Sequence, residues 1–177
     1  MAANFTPEDG TGLADANSYV ALAFADQYFL DRAVTTWTGA DAVKQSALVR
    51  ATDYVETRYG DKFVGCKFSE TQALFFPTNG GLTDPMTGDP IPDPMPVKLL
   101  KAICEYAVRA LTAQLAPDPT TDATGQRVQA KTETVGPISE STTYMTGGTV
   151  YTFVPYPAAD ILLRGLIRNT GGGTIRN

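Results

Sequence analysis

The chain has 177 residues, 43% of them hydrophobic, and a formal net charge of −5 from 14 basic and 19 acidic side chains. That length holds one domain with a real core and room for an appendage, and the apolar content excludes a disordered chain. The acidic balance speaks against a protein whose main task is gripping nucleic-acid phosphates, which needs Lys and Arg in excess on one face. The charges are also segregated. Five acids and no base occur from Met1 to Asp31, whereas Arg164, Arg168 and Arg176 follow Asp160 with no further acid. This asymmetry is either chance or a pair of surfaces that attract, within a subunit or between neighbours.

Residues 1–16 are polar, carry Pro7, Gly10 and Gly12, and read as an irregular arm without the basic and apolar regions of a signal peptide. Ser18 can cap a first helix over 18–33, with Leu22, Ala25, Tyr28 and Phe29 on one face. Thr38 or Asp41 can cap a second helix to Tyr59, striped by Val43, Ala47, Leu48, Ala51, Tyr54 and Val55 and stopped by Gly60. Ser69 and Gln72 form a capping box that predicts a short helical turn.

From Phe75 to Pro96 the chain holds six of its twelve prolines. Such a run is stiff and makes no backbone ladder, because proline donates no hydrogen bond. It either presents a shaped surface or merely connects two elements. Pro96 suits the first position of the strongest helix, in which Val97, Leu100, Cys104, Ala107, Val108, Leu111 and Leu115 recur at helical spacing until Pro117. Beyond Arg127 the segments RVQAKTETV, ISESTTYM and TVYTFV are rich in Val, Thr and Tyr and read as strands. YPAADILLRGLIR predicts a short last helix, and NTGGGTIRN a flexible tail. The expected fold is mainly α: a bundle of about four helices with a two- to three-stranded β-hairpin insertion before a short C-terminal helix. Its parts are an arm at 1–16, one domain at 17–168 (helical core 17–119 and 157–168, β appendage 127–154) and a tail at 169–177.

Chemistry is sparse. The absence of histidine removes Ser–His and Cys–His nucleophile pairs and most histidine metal sites, and no phosphate-loop or nucleophile-elbow motif is present. Asp84, Asp89 and Asp93 are the candidates for carboxylate chemistry, yet each adjoins Pro or Gly, where Asp commonly serves a turn. No enzyme activity, metal or cofactor is expected. Cys66 and Cys104 fit reduced thiols in a cytosolic compartment, Cys104 as a small buried hydrophobe. The longest apolar run, YVALAFA, is far short of the ~20 residues of a membrane span. Trp37 reads as a plug between helices rather than a base-stacking platform, and Tyr144, Tyr151, Phe153 and Tyr156 as cross-strand packing.

The order of the parts carries more than any one residue. SYVALAFADQYF, KQSALVRATDYVETRY, QALFFPTNGGLTDPMTGDPIPDPMPVKLLKAICEYAVRAL, VQAKTETVGPISESTTY and YPAADILLRGLIR follow one another between Asn17 and Arg168. In that order they resemble the head–tail connector proteins of tailed bacteriophages, also called adaptors or head-completion proteins, many of which are labelled DnaT-like single-strand-binding proteins. The segment MTGGTVYTFVPYP is longer than the family's link before the last helix, and the tail beyond Arg168 has no counterpart.

The resemblance implies a virion protein of the neck, made in the host cytoplasm. It would form a homo-oligomeric ring of about 12 copies beneath the portal protein, whose heterologous contacts join two different faces of each subunit. The ring would pass genomic DNA without sequence-specific binding and recruit a stopper, neck or tail protein. Portal contact is expected from Leu163, Arg164, Ile167, Arg168, Ile175 and Arg176, although Leu163 and Ile167 equally suit closure of the bundle core. Contacts between neighbours are expected from Arg127, Lys131, Tyr144, Tyr151 and Phe153, and loop contacts from Asp84, Asp89 and Asp93. The alternative is a single-stranded DNA-binding module, which calls for a basic groove lined by aromatics.

Overall fold

The computed structural model describes residues 4–82, 88–89, 95–118 and 153–168 in full, and 128–134 and 139–144 by their backbone. Among them are four helices, α1 (Leu22–Leu30), α2 (Asp41–Tyr59), α3 (Val97–Ala110) and α4 (Pro157–Leu163), so the protein is mainly helical. The chain divides into two compact units, one made of 1–115 with 155–177 and the other of 116–154.

The helical unit is built on α3, which packs against α2 and α4. Leu99, Ala102, Ile103, Tyr106, Ala107 and Ala110 recur at three and four residues, and each is at most 1% exposed. Burying each of the large apolar side chains stabilises by about 1.5–3 kcal/mol. α2 contributes Ala47, Leu48, Ala51, Tyr54 and Val55 to the same core. Two apolar residues expected on these stripes, Val43 and Val97, lie instead in first turns and are about half exposed, at 49% and 48%. Pro96 stands just outside α3, where its carbonyl accepts from Leu99 N–H at 2.8 Å. α3 ends at Ala110 rather than at Leu115, which nevertheless remains buried in the turn that follows.

The first helix is shorter than its periodicity suggests. Ser18 does not cap it: its Oγ donates to Val20 O at 2.9 Å, and Tyr19 and Val20 enter the core ahead of the helix. α1 therefore begins after Ala21, whose carbonyl accepts the first helical N–H groups. It ends in a Schellman-type turn, with Val34 N–H donating to Phe29 O at 3.0 Å and Ala33 at φ 51°. Trp37 then packs on Phe29 with ring centroids 4.7 Å apart and donates Nε1–H to Asp26 at 2.7 Å, so it is a plug. Gly60 closes α2, but in right-handed conformation at φ −55° rather than left-handed. Its requirement is space: a Cβ there would lie 2.5 Å from Glu56 O.

The N-terminal segment is irregular yet fastened. Thr6 O accepts from Asn17 N–H at 2.9 Å, Ser18 O accepts from Glu8 N–H at 2.8 Å, and residues 9–16 form a loop between those pins. Glu8 is 6% exposed, and its carboxylate accepts N–H bonds from Gly10, Gly12 and Leu13 at 2.8–3.0 Å. Gly10 and Gly12 have φ of 96° and 81°, which turns those donors inward as a nest for the anion.

The loop after Phe63 is organised by one amide. Half of the Ser69–Gln72 capping box forms, with Ser69 N–H donating to Gln72 Oε1 at 2.7 Å, but no helix follows. Gln72 Nε2 instead donates to the carbonyls of Leu74, Phe75 and Pro77 at 2.8–3.0 Å, folding the chain back on itself. Phe63, Phe75 and Phe76 pack together, and Leu82 is buried. Most of the Pro-rich run beyond Leu82 lies outside the described residues.

In the second unit β1 (Val128–Thr134) pairs antiparallel with β2 (Ser139–Tyr144), Lys131 opposite Thr142 and Glu133 opposite Glu140. The register shifts between Val128 and Ala130. The intervening residues 135–138 and most of the expected third strand, 145–152, lie outside the described residues.

Candidate functional site

The residues singled out at the C-terminal end are mounted by α4, a helix of 7 residues. So short a helix does not hold itself in water, because nucleation costs more than one turn returns. Its mount is Asp160, in the first turn. Asp160 Oδ1 accepts from Tyr106 Oη of α3, from Tyr59 Oη at 3.1 Å and from Arg58 Nη1 at 3.3 Å, the last two on α2. Its Oδ2 accepts Tyr156 N–H at 3.0 Å, which caps the helix start. Arg58 also donates to Tyr54 Oη at 2.6 Å and stacks over the Tyr59 ring at 4.9 Å.

Burial sets the electrostatics of this hub. It pushes Tyr59 up to about 12 and Tyr106 well above the usual phenol range, with the Asp160 carboxylate acting in the same direction. Burial alone would lower Arg58, but Tyr59, Tyr54 and Asp160 together outweigh it and hold the guanidinium charged. The hub is thus a polar knot joining three helices. Around it, Arg109 is held by Glu105 at 3.0 Å, and Tyr28 Oη donates to Glu105 at 2.9 Å.

Past α4 the chain runs along the residues after α2. Val64 N–H donates to Leu166 O at 2.9 Å and Arg168 N–H donates to Lys62 O at 2.7 Å, bridging Phe63 and Ile167. Leu163 and Leu166 point into the core, at 0% and 1% exposure. Of the two places the sequence left open to Leu163 it takes the one that closes the bundle core, and Ile167 is half-buried. Arg164 and Arg168 are exposed, and among the described residues neither pairs with a carboxylate. Ile161, which the sequence did not single out, is 66% exposed on α4, three residues before Arg164.

The other candidates are less gathered. Lys131 and Tyr144 stand on β1 and β2, Phe153 is half-buried, and Asp89 is exposed. Arg127, Tyr151, Asp84, Asp93, Ile175 and Arg176 lie outside the described residues. Among the described residues no three His, Cys, Asp or Glu side chains gather as metal ligands, and no helix is long and apolar enough to cross a membrane. Cys104 is buried, which pushes its thiol up to about 12, and Cys66 is exposed. Reading by residue type missed Asp160, Arg58, Tyr59 and Tyr106. One signal was available: Tyr54 and Tyr106 fall on apolar stripes, where a buried hydroxyl needs a partner.

No curated protein and no solved structure matches this chain. The family model described as "Putative DnaT-like ssDNA binding protein" matches residues 3–177. With nearly its whole length covered, the chain belongs to the DnaT-like family that carries that description.

Proposed function

We propose that this protein is a structural assembly protein, a head–tail adaptor of a tailed phage that forms a ring beneath the portal and recruits the next neck or tail component. The observation that carries this reading is the mount of α4. A short helix is clamped from inside through Asp160, while Ile161, Arg164 and Arg168 face solvent. A rigid surface that spends its internal polar contacts on position rather than on chemistry suits docking. The order of segments along the chain supports the same reading. In it the portal is met by the C-terminal end, where Arg164, Ile167 and Arg168 lead to Ile175 and Arg176. The β unit over 127–154, with Arg127, Lys131, Tyr144, Tyr151 and Phe153, reaches toward a neighbouring copy as a hairpin, and Asp84, Asp89 and Asp93 belong to a contact loop. The ring holds about 12 copies, with DNA passing through unread.

The family description favours a second reading, binding of single-stranded DNA. Against it stand the net charge of −5 and the internal commitments of Lys44 to Asp26, Arg58 to Asp160 and Arg109 to Glu105. Purified portal is imaged by negative stain with the full chain and with a variant ending at Arg168, which keeps every described core residue. Ring density beneath the portal, lost without the tail, is the expected result. Failure of both to bind portal, with salt-sensitive retention of the full chain on single-stranded DNA, establishes the second reading instead.

A further inference from the structure

We infer that the outer face of α4 is a self-association surface, whose occupant is the acidic N-terminal loop of a second copy of this chain. Pro157, Ala158, Ile161 and Arg164 follow helical spacing along that face and are exposed, and the exposed Arg168 lies beyond the helix on the segment that runs beside Lys62. Among the described residues Arg164 and Arg168 pair with no carboxylate, whereas Lys62 beside Arg168 adjoins the exposed Asp61. The opposite charge lies in the loop between the pins at 6–8 and 17–18, where Asp9 and Asp15 are exposed. Asp9 accepts from Thr11, and Asp15 has no partner among the described residues. No base occurs before Arg32 to neutralise this loop.

The ion pairs of the described residues bear on the two ways such an asymmetry can act. Were the loop and α4 partners within one subunit, Asp9 or Asp15 would pair with Arg164 or Arg168, and no such ion pair exists among the described residues. The free charges of both signs are therefore available to meet between copies. A loop meeting a helix face is a heterologous contact, which propagates from copy to copy rather than closing at two. Exposed ion pairs are individually weak, about 0–1 kcal/mol each, so the contact is shallow and salt-sensitive in solution and multiplies only along a ring or on a template. Ile161, at 66% exposure, supplies an apolar centre that a phosphate backbone would not use. The inference stands without the adaptor reading, because it needs only two copies. Within that reading it moves Arg164 and Arg168 from the portal to the neighbour and leaves Ile167, Ile175 and Arg176 for the portal.

Sedimentation velocity of the full chain at about 20 mM and about 500 mM salt tests it, with two charge-reversed variants, R164E/R168E and D9K/D15K. The wild type associates at low salt and dissociates at high salt. Each variant alone associates at least about tenfold more weakly, and an equimolar mixture of the two recovers association as a mixed species. D15K alone, which touches no described hydrogen bond, shows the same loss in part and reports on any disturbance of the loop by Asp9→Lys. Wild-type protein that stays monomeric at low salt overturns the inference. So do variants that associate like wild type, or folded variants whose mixture does not recover. Retention of the monomer on single-stranded DNA through Arg164 and Arg168 also overturns it. Portal binding is scored on D9K/D15K, which changes none of the residues placed against the portal, so loss of self-association with portal binding intact leaves the adaptor reading standing.

Discussion

Ala33 is the only non-glycine residue at positive φ among those described, at 51°. It holds the left-handed position that ends α1, where a Cβ is strained by about 1–2 kcal/mol. Ala33→Gly relieves that strain and loses part of it to unfolded-state entropy, so thermal unfolding should show a net gain of about 0.5–1 kcal/mol. Gln72 is the opposite case, a buried amide that satisfies four backbone groups. Gln72→Ala should cost about 2–4 kcal/mol in urea unfolding, since those carbonyls and the Ser69 N–H are left in a closed loop. Glu56 accepts from Tyr19 Oη, and its carboxyl is raised above 4.5, first of all by burial. A raised carboxyl contributes stability that is full below its unfolded value and fades as pH rises through the folded one. Glu56→Gln keeps an acceptor for Tyr19 and removes the buried charge. Its stability relative to wild type should therefore grow as pH rises from about 4.5 toward neutrality. Unfolding curves across that range check the sign. Of these residues the sequence singled out only Gln72, and only for its bond to Ser69. A Gln, a Glu and an Ala are ordinary surface residues until the chain closes around them.

At the scale of elements, α4 shows why local signal and tertiary fixation must be kept apart. Pro157 at its start and Asp160 in its first turn announce the helix. Seven residues do not sustain it, and its position is set by bonds from Arg58, Tyr59 and Tyr106 on two other helices. Asp160→Ala strands those donors in a partly buried site and should cost about 2–4 kcal/mol. Hydrogen exchange should localise the loss to residues 157–168, with α2 and α3 still protected. Uniform loss across all helices would show that the hub holds the whole core instead. α2 and α3 were legible because their apolar periodicity runs for several turns. The start of α1 and the turn at Ser69 were not, because capping residues there found better partners: Ser18 bonds Val20, and Gln72 bonds three carbonyls.

For the molecule as a whole, the division into two units makes a prediction about excision. Tyr156 Oη donates to Leu115 O at 3.1 Å, so the points where the chain leaves and re-enters the helical unit are neighbours. Closing so small a gap costs little entropy. Replacing residues 116–154 by a short Gly–Ser linker should leave the helical unit folded, with near-UV dichroism and a cooperative urea transition retained. Loss of the cooperative transition would show that residues 116–154 are needed for that unit to fold. Of the surface expected at the C-terminal end, the sequence made its charge legible, but not which apolar residues face out. Leu163 and Ile161 are two residues apart on one short helix, one closed in the core and the other open to solvent.

What the sequence by itself determined is the class and order of the parts: an acidic, histidine-free, mainly helical chain whose long apolar periodicities name α2 and α3. Such features are local, because helix phase depends only on spacing along the chain. Only the tertiary structure decided where the short elements end, which carboxylate gathers the hydroxyls, and which arginines pair with a carboxylate among the described residues. Those outcomes depend on groups far apart in sequence, such as Arg58 and Asp160, competing for the same few buried bonds.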